Sequence, residues 1–148
     1  MTPFYLEDLH VGQRFITGTE RITEEDIRAF ASQWDPQPFH LDPEAARHSL
    51  FGELVASGWH IAALSMRLMV QGGLPLAGGI LGTGGELLWL RPGRPGDTLH
   101  VEAEVLEIVP SRSKPDRGSV QFRCLTLNQD GETVQSFGPK VVVLRRPL

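Results

Sequence analysis

The stretch Ser57–Gly73, SGWHIAALSMRLMVQGG, is the one on which the fold turns. Ser57 stands where an N-cap accepts a hydrogen bond from the first helical turn, and Gly72 stands where a helix stops. Between them, nine of the twelve residues from Trp59 to Val70 are apolar, and they surround the helix instead of forming one stripe. A helix apolar on nearly all sides is buried, yet this one falls short of the roughly 20 residues a membrane span needs. The expectation is a central helix wrapped by other structure.

The wrapping is sought on both flanks. Downstream, ILGTGGELLWLRP (80–92) reads as a strand. DTLHVEAEVLEIV (97–109) alternates, with Leu99, Val101, Ala103 and Val105 on one face and His100, Glu102 and Glu104 on the other. The segment 119–144 reads as two strands joined at Asp130-Gly131, a pair suited to a two-residue hairpin turn. Upstream, QRFITGTERIT (13–23) reads as one strand. The glycine pairs at 72–73, 78–79 and 84–85 lack a phosphate-loop pattern and are expected as turns or bulges. No repeat or linker divides the chain, so residues 1–148 are taken as a single α+β domain.

Composition narrows the function. Apolar residues make up 41% and charged residues 22%, which describes a globular chain; a net charge of −4 offers no global basic field for nucleic acid. The single cysteine, Cys124, rules out an intrachain disulfide and suits a reducing compartment. It is expected to be inert in its strand. The N-terminus shows no signal pattern and no run approaches a membrane span, so a cytoplasmic protein is expected. No helical His-x3-His or Cys-x2-Cys pair points to a metal.

The chemistry is sought in WDPQPFHLDP (34–43), where an acid and a histidine flank two prolines. Thr23-x-x-Asp26 forms a capping box that opens a helix, and Ile27, Phe30, Ala31 and Trp34 make its expected buried stripe. Pro36 ends that helix and leaves Asp35 at its terminus. His40 follows in the expected loop. Asp42-Pro43-Glu44 then reads as an N-cap with proline at the first helical position, opening a short helix to about His48.

These residues resemble the MaoC-like (R)-specific enoyl-CoA hydratases of the hotdog fold. The likeness covers almost the whole chain and is strongest from FASQWDPQPFHLDPEAA to LVASGWHIAALSMRLM. The family signature is an Asp and a His four residues apart in a proline-containing loop, followed by a Gly-led central helix. Asp35, His40 and Gly58 match it. The chain departs at Gln37, where the family often has Asn, and at Ser57-Gly58, where many members have His-Gly. The motif assigns no role to Trp59 or His60.

The resemblance implies a curved antiparallel sheet around the helix, and a hydratase or dehydratase acting on a 2-enoyl or 3-hydroxyacyl thioester. Asp35 and His40 would manage the protons of one water, with no cofactor beyond the coenzyme A carried by the substrate. Free N–H groups at the helix start, with Gly58 allowing close approach, would hold the thioester oxygen. Ser57 is expected as N-cap or as a polar substrate contact. Arg112, Lys114 and Arg117 are expected to meet the phosphates of CoA. A homodimer, or an oligomer built from it, is implied. The competing readings are a hotdog thioesterase, disfavoured by the absence of Asp or Glu from 57–71, and a non-catalytic acyl-CoA-binding subunit.

Overall fold

The computed structural model describes residues 2–148. Strands β1 (Arg14–Ile16), β2 (Glu20–Arg21), β3 (Leu81–Trp89), β4 (Thr98–Pro110), β5 (Arg117–Leu127) and β6 (Thr133–Leu144) form one antiparallel sheet, ordered β1-β4-β5-β6-β3. β2 also pairs with β4. The expected upstream strand is therefore two pieces. The chain leaves the ladder at Thr17, whose Oγ1 accepts from Val101 N–H at 2.8 Å in place of a backbone carbonyl.

Helix α4 (Gly58–Leu68) is capped by Ser57 and runs into a wider turn, Met69–Gly73, which Gly72 ends at φ 121°. Ile61, Leu64 and Leu68 share one buried core with the sheet residues Val101, Val105, Val120 and Phe122, these last four fully buried. The alternation expected of β4 holds: Leu99, Val101, Ala103 and Val105 are at most 1% exposed. Each large apolar side chain so buried contributes about 1.5–3 kcal/mol. This curved sheet around a helix is the hotdog arrangement.

Four expectations need correction. The helix is open along one side, where Trp59 is 58% exposed and Val70 63%. Trp34 is 71% exposed, because α1 (Glu24–Trp34) rests on the core through Ile27 and Ala31 and its last turn overhangs it. His40 lies in a helical turn, α2 (Pro38–Leu41), and is buried; α3 (Pro43–Arg47) follows, capped by Asp42 as expected. The β5–β6 hairpin has a longer loop than two residues, with Asn128 N–H bonded to Glu132 O and only Gly131 at positive φ. A type I′ turn needs positive φ at both central residues, and Asp130 does not adopt it.

Candidate active site

α1 ends where Asp35 caps it, its N–H bonded to Ala31 O. Pro36 and Pro38 then turn the chain into α2, with Pro38 at the first helical position, and bring His40 back toward the acid. His40 Nε2 lies 3.3 Å from Asp35 Oδ2. The His40 side chain is 6% exposed and that of Asp35 16%, so both are withdrawn from solvent yet reachable. The stiff ten-residue stretch thus does converge two side chains on one point.

Each member of the pair is held from behind. His40 Nδ1 lies 2.7 Å from the Val55 carbonyl. A carbonyl only accepts, so Nδ1 carries a proton, and Nε2 is the ring nitrogen turned toward Asp35. Asp35 Oδ2 accepts from Ser57 Oγ at 2.7 Å, and Oδ1 accepts from Gln37 Nε2 at 2.7 Å. Burial pushes the Asp35 carboxyl upward; the Gln37 and Ser57 donors, with His40 adding, outweigh it and hold the carboxyl below its ordinary value. Asp35 stays ionised at neutral pH.

Both residues line a cavity of about 400 Å³, with Gln37, Phe51, Trp59 and Trp89 among its walls and Gly58 at the helix start. Gly58 N–H has no hydrogen-bond partner among the described residues and is free for a ligand oxygen. The space a Gly58 Cβ would take is filled, since it would fall 2.4 Å from Trp89 Cε2. Glycine is required here by Trp89. Ser57 is fully buried and is not among the wall residues; its hydroxyl serves Asp35 and caps Trp59 N–H.

Other residues named from sequence lie apart. Arg112, Lys114 and Arg117 sit on or beside the β4–β5 hairpin, at the end of the sheet away from Asp35 and His40. The thirteen residues of β4 put roughly 40 Å between those ends at ~3.3 Å per residue. Arg117 pairs with Asp116. His60 does not line the cavity; it stacks on Phe30 with centroids 4.8 Å apart, and its Nδ1 is buried without a partner. Burial is the main cause holding that imidazole below its ordinary pKa. Burial likewise pushes the Cys124 thiol up to about 12, so it is inert. Sequence reasoning missed Gln37, Phe51 and Trp89. Of these only Gln37 had a signal, its position two residues after the acid.

Residues 9–123 match the MaoC-like domain family. The chain is 61% identical to the MaoC-like dehydratase of Rhodospirillum rubrum, whose crystal structure superposes with a TM-score of 0.96 over 98% of this chain and 99% of that one. It is 32% identical to the R-hydratase PhaJ1 of Pseudomonas aeruginosa, with a TM-score of 0.76 over 97% and 88%. It is also 34% identical over 112 residues to the 3-hydroxybutyryl-CoA dehydratase of Methylorubrum extorquens, covering 74% of this chain and 69% of that protein.

Proposed function

We propose, from the premise that this chain belongs to the MaoC-like hydratase/dehydratase family, that it adds water to a 2-enoyl-CoA, or removes it from the 3-hydroxyacyl-CoA. The carrying observation is the pair itself: an imidazole Nε2 3.3 Å from an anchored, ionised carboxylate, in a cavity with a free helix-start N–H. In hydration, Asp35 accepts one hydrogen of a water and His40 Nε2 takes the other as the oxygen attacks the β-carbon. The enolate oxygen that develops is held by Gly58 N–H, with the α4 dipole aiding. His40 then returns its proton to the α-carbon, so the pair ends a turnover as it began. The relatives named as a hydratase and a 3-hydroxybutyryl-CoA dehydratase support this class of reaction. The test is loss of conjugated-thioester absorbance across a panel of enoyl-CoAs. A protein that binds acyl-CoA and hydrates none is a binding subunit.

The same reading includes a homodimer. Among the described residues β3 bonds only to β6 and leaves its other edge open, with Leu81 60% and Leu88 45% exposed. An open apolar edge beside the uncovered side of α4 fits pairing with a second copy. Antiparallel β3–β3 pairing about a two-fold axis brings the partner's β4–β5 hairpin to the catalytic end of the sheet. The phosphates of CoA are then met by Arg112, Lys114 and Arg117 of the opposite chain, not of the chain that supplies Asp35.

A further inference from the structure

The catalytic cavity ends on a wall of two indoles. Trp89 packs against Gly58, and its Nε1 donates to Gln135 Oε1 at 3.1 Å. Gln135 is 2% exposed, so this anchor is fixed. Trp59 stands edge-on to Trp89, with ring centroids 4.9 Å apart and planes at 82°. Behind the wall, between α4 and the sheet, lies a second cavity of about 390 Å³, whose walls include Met66, Met69, Leu87 and Phe137. Among the described residues, Trp59 alone lines both cavities.

The two indoles are not equally held. Trp89 is tied by its hydrogen bond and by its packing on Gly58. The Trp59 indole has no hydrogen bond among the described residues; only its backbone N–H is bonded, to Ser57 Oγ, so no polar contact pins the ring. We propose that Trp59 is the movable leaf and Trp89 the fixed leaf of a partition that sets acyl-chain length. With the partition closed, the site takes short enoyl thioesters of about crotonyl size. With Trp59 turned aside or removed, the cavities join and a longer linear chain enters. This rests on the acyl-thioester reading of the site and adds the substrate size and the residue that limits it.

The experiment compares wild type, Trp59→Ala and Trp59→Ala/Ala62→Phe on crotonyl-CoA, octenoyl-CoA and decenoyl-CoA, with calorimetric binding of butyryl-CoA and decanoyl-CoA alongside. Ala62 lines the second cavity, so a Phe there refills it. One well-seated methylene is worth about 10–200-fold in discrimination. Trp59→Ala should therefore raise the decenoyl-to-crotonyl ratio of kcat/KM by at least about tenfold, and Ala62→Phe should reverse much of that gain. The dissociation constants of the two saturated thioesters should shift in the same sense. Should wild type hydrate nothing, the hydratase reading falls, and the dissociation constants still decide the partition. Chain-length ratios unmoved in folded Trp59→Ala, or a wild type that already handles decenoyl-CoA as well as crotonyl-CoA, overturn it. So does failure to bind either saturated thioester.

Discussion

At the residue scale, the site depends on what stands behind Asp35 and His40. Asp35→Asn keeps the shape and removes the charge, and should lower hydration by about 10²–10⁴-fold, the usual scale for a positioned acid–base group, with little change in melting. His40→Ala should lose as much activity, and because the imidazole is buried it should also destabilise, which thermal melting will read. The double variant should lose far less than the product of the single losses, since the proposed reaction has both groups acting on one water. Ser57→Ala leaves Gln37 as the main donor to the carboxylate. The Asp35 pKa then rises, and the acid limb of the kcat/KM profile should move to higher pH. An unmoved limb would mean that Ser57 only caps α4.

At the element scale, α1 delivers the acid, and two contacts fix where it does so. One is the Pro36–Pro38 turn: Pro38→Gly keeps both reactive groups but loosens their spacing, and should lower kcat while sparing CoA binding. The other is His60 stacked on Phe30, which joins α4 to α1. Its folded pKa lies below the ordinary 6.5, with Asp26 pulling it up and Arg67 and His40 adding to the downward push of burial. The unfolded chain then binds the proton first as pH falls, so stability declines from about pH 6.5 down to the folded value, by roughly 1.4 kcal/mol per unit of difference. Urea unfolding at pH 7.5 and 5.5 should show the drop, and His60→Phe should flatten it. The elements themselves were legible because their signals are local: the Thr23–Asp26 box, the Ser57 cap, the alternation of β4. Trp34 and the open side of α4 were not, because periodicity gives a residue's face and not what lies opposite that face. The Ser57 hydroxyl behind Asp35 was hidden for a related reason, since Ser57 is 22 residues away and meets the carboxylate only in the fold.

At the scale of the whole molecule, the open β3 edge predicts a dimer, and light scattering at micromolar concentration should give twice the chain mass of 16.4 kDa. Leu81→Lys/Leu88→Lys places charge on that edge and should shift the mass toward the single chain. The proposed dimer would also decide how the distant basic hairpin is used. With β3 paired to β3 about a two-fold axis, the partner's β5 and β4, which carry the hairpin, lie three and four strands from this chain's β3, about 14–19 Å away at ~4.8 Å per strand. Its hairpin end is then turned toward the catalytic pocket. Replacing Arg112, Lys114 and Arg117 together with Ala should raise KM for crotonyl-CoA far more than it lowers kcat. The phosphate-free thioester of N-acetylcysteamine should show no such change. A mixed dimer separates the two arrangements. Pairing an Asp35→Asn chain with a triple-Ala chain creates one site with an intact Asp35 and an intact opposite hairpin. If the hairpin serves in trans, the mixture recovers wild-type KM with up to half the wild-type turnover per mixed dimer. If it serves in cis, no site in the mixture is whole and the raised KM persists.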